Sequence, residues 1–166
     1  MIDILVPQLL DLIRTAQEAY HKLVIIAGSP NSGKTRLLNQ VASQLDLPVM
    51  NLSLQLSRGL LNLTKRQRML KAEEVARDAI DDQTRSACIC LDNTELLFDS
   101  ALNLNPLTFL KDVSRNRLIV ASWNGVLADG QLRFGYSGHP DFFSEAVSGF
   151  PVVAVTEDSF RVYLTT

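Results

Sequence analysis

The chain has 166 residues, of which 46% are apolar and 20% charged, the balance of one folded domain, which excludes the disordered and small disulfide-knotted classes. Sixteen basic against eighteen acidic side chains leave a formal charge of −2 and a pI near 5.6, which argues against a general electrostatic grip on DNA or RNA while leaving room for a local basic patch. No apolar run approaches the roughly 18 residues of a spanning helix, the start carries Asp3 and Pro7 rather than the basic residues of a secretory signal, and Cys88 and Cys90 are the only cysteines, so the expected setting is a reducing cytoplasm without membrane contact.

Residues 3–20 place Leu5, Leu9, Leu12, Ile13, Ala16 and Tyr20 on one helical face, and Pro7 predicts that the helix proper starts near it. Leu23–Gly28 is a short, β-branched apolar run, the pattern of a strand buried on both faces. A loop follows to Gly33, and Lys34–Leu45 repeats apolar residues at helical spacing. In Pro48–Leu56, Met50, Leu52, Leu54 and Leu56 alternate with polar residues, which predicts an edge strand interrupted by Gly59. Residues 62–82 predict a charged helix with Met69, Ala72, Ala76 and Ala79 on its inner face, and Ala87–Leu91 a second buried strand. Asn105-Pro106 has the form of a helix cap followed by proline at the first helical position, and Leu118–Ala121 predicts a third buried strand. Beyond Trp123 come short strand-like pieces at 132–136, 152–155 and 160–164, with a turn at Ser137–Pro140. Strands and helices alternate as far as residue 121, which predicts a three-layer α/β domain with a mostly parallel sheet and short β additions at the C-terminus.

Gly28-Ser29-Pro30-Asn31-Ser32-Gly33-Lys34-Thr35 matches the phosphate-loop pattern G-x-x-x-x-G-K-[ST] at every fixed position, after a buried strand and before a helix. Two glycines let the backbone curl so that its N–H groups face phosphate oxygens, and the helix starting beside them adds its free amides and positive dipole end. On this reading Gly28 through Arg36 bind the nucleotide, Lys34 reaches the β- and γ-phosphates, and the Thr35 hydroxyl is a ligand of Mg²⁺.

Cys88-Ile89-Cys90-Leu91-Asp92 is an apolar strand ending in aspartate, the form of a Walker B segment whose carboxylate serves Mg²⁺ opposite Thr35. Capping of a following helix is the alternative role for Asp92. ATPases of the AAA+ type usually carry glutamate directly after this aspartate, whereas here Asn93 stands there. Asparagine can orient a water but cannot take its proton. Glu95 lies one helical turn past Asp92 and either faces the γ-phosphate or completes a cap; both readings stand. The third buried strand runs into Ser122-Trp123-Asn124, where Asn124 has the position of a γ-phosphate sensor and also opens an Asn-Gly turn with Gly125. The order of phosphate loop, edge strand, acidic strand and sensor strand is that of an AAA+-like core.

Elsewhere Lys65, Arg66, Arg68 and Lys71 form a basic stripe that reads first as a solvated helix face, with partner or nucleic-acid contact as the other reading. Arg115, Arg117 and Arg133 are candidates to reach a neighbour's nucleotide, Arg133 first among them, although surface pairing explains each. His21 and His139 lack metal-ligand spacing.

The whole pattern resembles the BrxF family, small P-loop proteins of type 3 bacteriophage-exclusion (BREX) systems. The resemblance rests on the short length, the early Gly28–Thr35 loop, the Leu91-Asp92-Asn93-Thr94-Glu95-Leu96-Leu97-Phe98 form of the acidic strand, and Ser137-Gly138-His139-Pro140-Asp141-Phe142 late in the chain. It implies an AAA+-like, ATP-binding and ATP-hydrolysing component of an antiphage defence that works with other BREX proteins.

Three functions follow as expectations. The first is an Mg²⁺-dependent ATPase whose nucleotide state drives assembly or partner contact, with Lys34, Asp92, Asn93, Glu95 and Asn124 as its catalytic set. The second, motivated by Asn93, is a nucleotide switch that does not hydrolyse. The third, a small-molecule P-loop kinase, lacks an arginine-rich lid, because only Arg133 falls between Asn124 and Arg161. No guanine-reading Asn-Lys-x-Asp motif is present, and adenine has no signature either. An AAA+-like core would occupy all of residues 1–166 and leave no helical lid, so the site is expected to be completed by a neighbouring subunit or partner.

Overall fold

In the computed structural model, which describes residues 2–83, 85–157 and 159–164 (of residues 2–5 the backbone alone), the apolar runs become the inner strands of a layered α/β fold. The elements in chain order are α1 (Ile2–Ala16), β1 (Leu23–Gly28), α2 (Lys34–Leu45), β2 (Val49–Asn51), α3 (Leu52–Leu60), α4 (Lys65–Gln83) and β3 (Cys88–Asp92). Two 3₁₀ turns follow at Glu95–Phe98 and Ser100–Leu102, then α5 (Pro106–Val113), β4 (Leu118–Asn124), β5 (Val126–Ala128), β6 (Gln131–Phe134), β7 (Phe143–Ala146), β8 (Val152–Val155) and β9 (Phe160–Tyr163).

Six strands form the main sheet in the order β2-β3-β4-β1-β8-β9, all parallel except the final β8–β9 pair. Side chains along its strands alternate between two cores. Leu23, Ile25, Ala27, Ile89, Leu91, Ile119, Ala121 and Trp123 face the layer built from α3, α4, α5 and the small β5-β6-β7 sheet. Val24, Ile26, Cys88, Cys90, Leu118, Val120 and Val153 face α1 and α2. Burial on both faces is why these runs carry no polar alternation. It also forces the ladder to satisfy every backbone group along the strands, so polar chemistry emerges only at their C-terminal ends.

Pro48–Leu56 departs from its expected strand. Only Val49–Asn51 pairs with β3; Asn51 then accepts a hydrogen bond from the Leu54 amide at 3.0 Å and caps α3. A residue spacing of two is ambiguous when leucines also recur at spacing four. Here Leu52, Leu56 and Leu60 bury one helical face against α4, while Leu54 stays exposed. The helix α1 also differs, because Pro7 lies inside it instead of at its start. The stripe Val6, Leu9, Ile13 and Ala16 is buried against the sheet and α2, which offsets the ladder bond that proline cannot make. The helix stops at Ala16, so Tyr20 lies beyond it and is exposed; the expected face residue Leu5 lies outside the described side chains.

Three smaller differences lie in α4 and the C-terminal β additions. Met69 is exposed and Ile80 buried on α4, whose start is a reciprocal cap between Thr64 and Gln67. Arg68 leaves the basic stripe and donates to the carbonyls of Leu60, Leu61 and Leu63, closing the C-terminal end of α3. The unforeseen strand β5 pairs with β6 through Asp129-Gly130, both at positive φ, the two-residue turn that matches strand twist.

Two outcomes test this architecture. Leu56→Ala should cost about 2–5 kcal/mol in urea unfolding and Leu54→Ala less than ~0.5 kcal/mol, a contrast that an edge strand with both leucines on one face would not produce. Burial pushes the Cys88 thiol up to about 11 and that of Cys90 to about 12, from an ordinary 9.0. Thiols with folded values above the unfolded one stabilise fully below pH 9, and that contribution is lost as pH rises past it. Iodoacetamide at pH 8 should therefore label neither cysteine in the folded chain and both on unfolding.

Candidate nucleotide site

The C-terminal ends of β1, β3 and β4 meet because these strands are parallel and in register: Gly28 lies opposite Asn124, and Leu91 opposite Ala121. A cleft of about 900 Å³ opens there, walled by the loop residues Pro30, Asn31, Gly33, Lys34 and Thr35, by Asp92, Asn93 and Glu95, and by Asn124. Arg36, Asn39, Gln40 and Ser43 extend it along one face of α2.

In the loop the two glycines serve different needs. A side chain at Gly28 would meet Ser32 Oγ and, at 2.7 Å, the Val155 carbonyl. Gly33 has open space around it but a φ of 97°, the left-handed conformation from which α2 starts; its carbonyl accepts the Leu37 amide at 3.0 Å. Asn31 is also left-handed, with φ 64°. Lys34 is only 6% exposed and donates from Nζ to the Ser29 carbonyl at 2.7 Å, across the loop. Burial lowers its pKa, while the nearby charges of Glu95 and Asp92 raise it.

Asp92 is held by a hydrogen bond from Ser122 Oγ at 2.8 Å, and Thr94 Oγ1 donates to the Ser122 carbonyl at 2.7 Å. All three are nearly or fully buried, so β3 and β4 are stitched where their ladder ends. Asn93 then takes a φ of 51°. Asparagine tolerates that left-handed turn far better than most residues, which gives a backbone reason for its place after Asp92. The turn sends Thr94 inward and starts the 3₁₀ turn at Glu95, whose Oε1 accepts a hydrogen bond from Asn124 Nδ2. Gly125 does not form the expected Asn-Gly turn; its amide donates to the Gly28 carbonyl at 3.0 Å and the chain continues into β5.

The structure thus brings together Gly33, Lys34, Thr35, Asp92, Asn93, Glu95 and Asn124. Ser29 meets Lys34 beneath the loop, whereas Ser32 and Gly28 pack against each other behind it. Two buried oxygens, Ser32 Oγ in the loop and Gln40 Oε1 in the cleft wall, have no hydrogen-bond partner among the described residues. The candidate arginines do not line the cleft. Arg115 covers the Tyr20 ring, its guanidinium 5.1 Å from the centroid. Arg117 caps α4 through the Ile80 carbonyl and Asp81, and Arg133 pairs with Asp129 at 3.8 Å. His21 bonds through Nδ1 to the Lys111 carbonyl at 3.1 Å and His139 accepts the Asp141 amide, and among the described residues no cluster of three or more His, Cys, Asp or Glu side chains could hold a metal. Also among them, no helix is long and apolar enough to cross a membrane.

Sequence reasoning did not single out Ser53, Thr94, Ser122 or the α2 face at Asn39, Gln40 and Ser43. Ser122 was legible as a polar residue at the end of an apolar strand, and 36, 39, 40 and 43 as polar positions at helical spacing. Ser53 carried no such signal, since it lay within the apparent strand alternation.

No protein-family model and no curated protein sequence matches the chain. Among solved structures, that of C. elegans PCH-2 aligns with 77% of this chain at 18% identity and a TM-score of 0.47, and this chain spans 38% of the length of that one.

The left-handed turn after Asp92 is testable by itself. Asn93→Gly should leave stability within about 0.5 kcal/mol, and Asn93→Val should cost about 1–2 kcal/mol in urea unfolding, because a β-branched residue is strained at that φ.

Proposed function

We propose that residues 1–166 form a single P-loop NTPase domain of AAA+-like form that binds ATP with Mg²⁺ and hydrolyses it. The observation that carries this reading is the convergence of Lys34, Asp92, Glu95 and Asn124, from the ends of three strands, in one cleft with the phosphate loop. The strand order supports the AAA+-like form, with β2 at an edge and β4 between the loop strand β1 and the acidic strand β3.

The triphosphate sits on the amides of the loop and of the first turn of α2, and Lys34 exchanges the Ser29 carbonyl for phosphate oxygens. The donor set fits Mg²⁺, which takes one or two protein oxygens and completes its shell with phosphates and water. Thr35 and Asp92 would hold it, and it would neutralise charge developing on the phosphates. Ser122 occupies one oxygen of Asp92 and leaves the other for this role. Asn124 and Glu95 orient the attacking water. As its oxygen bonds to the γ-phosphorus, its proton passes to Glu95 and the bond to the β–γ bridging oxygen breaks, releasing ADP and phosphate. Asn93 shapes the turn and lines the cleft rather than taking the proton.

The wider role comes from the sequence resemblance: a BREX antiphage component, acting with other BREX proteins and assembling in response to nucleotide. Of its characteristic segments, residues 92–95 build the acidic side of the cleft, and Asp141 of Ser137–Phe142 accepts the Ser100 amide at 2.8 Å. Arg133 stays the proposed trans-acting arginine, since its exposed pair with Asp129 is weak enough to open.

Steady-state phosphate release tests the chemistry. The wild type should turn over ATP only with Mg²⁺, Lys34→Ala and Asp92→Ala should abolish release, and Glu95→Gln should lower kcat about 10²–10⁴-fold with ATP binding retained. ATP binding without release would favour the non-hydrolysing switch, and absence of binding would defeat both. For the defence role, a host carrying the complete system should lose phage protection when Lys34→Ala replaces the wild type.

A further inference from the structure

The turn that carries Glu95 is gripped from outside the strand ends described above. Ser53, in the first turn of α3, donates its amide to the Asn93 carbonyl at 2.9 Å and its Oγ to that same carbonyl. The Leu96 amide in turn donates to Ser53 Oγ at 3.0 Å. One hydroxyl therefore holds the backbone on both sides of Glu95, one residue after it and two before. Among the described residues the carboxylate itself is held at its tip, by Asn124. Ser53 is in turn fixed by the Asn51 cap of α3 and by the pairing of Asn51 with Asp92. On its far side Ser53, Leu54 and Ser57 line a second cleft of about 680 Å³, whose wall shares Asn93 and Glu95 with the nucleotide cleft.

We infer that Ser53 is a positioning residue for ATP hydrolysis: its hydroxyl sets the 93–96 turn so that the Glu95 carboxylate faces the γ-phosphate end of the cleft. The inference rests on the ATPase reading above and adds the residue that makes Glu95 competent. The phosphate loop follows β1, whereas Ser53 lies on α3 and is not among the residues that line the nucleotide cleft, so nucleotide binding does not run through it. Loss of the hydroxyl strips the Leu96 amide of its acceptor and leaves the Asn93 carbonyl with the Ser53 amide alone. The turn then relaxes by a fraction of an ångström, enough to misplace a general base.

A spectroscopic reporter is built in. Trp123 is the only tryptophan, and Phe98, at the end of the Glu95–Phe98 turn, packs edge-on against it with ring centroids 4.7 Å apart. A shift of that turn changes Trp123 emission.

The experiment compares wild type, Ser53→Ala, Ser53→Thr and Ser53→Cys by calorimetric binding of a non-hydrolysable ATP analogue, steady-state phosphate release and Trp123 fluorescence. Ser53→Ala should bind the analogue within about twofold of wild type, lose about 10²-fold in kcat and show altered Trp123 emission. Ser53→Thr, which keeps the hydroxyl, should recover most of the rate. Ser53→Cys, nearly isosteric but a poor acceptor, should stay slow, and it replaces the alanine variant if that one fails to fold. A kcat for Ser53→Ala within twofold of wild type, or a loss matched by equal loss of analogue binding, overturns the inference alone. No release from wild type that binds nucleotide overturns the ATPase reading and this inference with it.

Discussion

Burial of β1, β3 and β4 on both faces is the constraint from which the rest of the molecule follows. A strand between two cores carries a polar side chain only where a buried partner satisfies it, as Asp92 does for Ser122, and its backbone must be satisfied by neighbouring strands. Parallel register brings the ends of three such strands to one edge, with Gly28 opposite Asn124 and Asn51 opposite Asp92. Polar groups excluded from the interior collect there, next to free amides at the start of α2. The cleft is thus a consequence of how the sheet is buried, as in open α/β sheets generally.

At that edge the polar groups hold one another. Asp92, Ser122 and Thr94 form a buried chain of hydrogen bonds that joins β3 to β4 where the ladder stops. Such a chain costs little when every member is partnered and much when one is removed. Glu95 and Asn124 make the next link, and the charge of Lys34 lies close enough to both carboxylates to counter the desolvation that lowers its pKa. Asn93 makes this arrangement possible by turning the backbone left-handed between Asp92 and Thr94. The place of asparagine after Asp92 is thereby explained by conformation, and the next carboxylate in the cleft wall is Glu95, two positions along.

The readable parts of the fold were those where one signal dominated. β1, β3 and β4 were continuous apolar runs between breakers, α2 and α4 had unbroken helical periodicity, and Asn105-Pro106 is the cap of α5 through a 2.9 Å bond to the Thr108 amide. Errors arose where two periods fitted the same residues. Leucines at 52, 54 and 56 satisfy a strand, but 52, 56 and 60 satisfy a helix, and packing against α4 selected the helix. The same ambiguity covers Ser53, which lies between Leu52 and Leu54. The local cost of Pro7 points to a helix start, whereas the apolar stripe around it outweighs one missing helical hydrogen bond.

The G-x-x-x-x-G-K-[ST] loop, the acidic strand end and the α/β alternation were legible in the sequence, because each depends on residues close together in the chain: glycine at a left-handed position, β-branched residues in a buried strand, a lysine beside a helix start. Tertiary structure alone decided which distant side chains meet. Asp92 with Ser122, Glu95 with Asn124 and Ser53 with the 93–96 turn join residues 29 to 43 positions apart. It also withdrew Arg68, Arg115 and Arg117 into structural contacts away from the cleft. Those pairings depend on strand order and helix packing, which are global outcomes of burying two apolar faces at once and leave no mark at any one position.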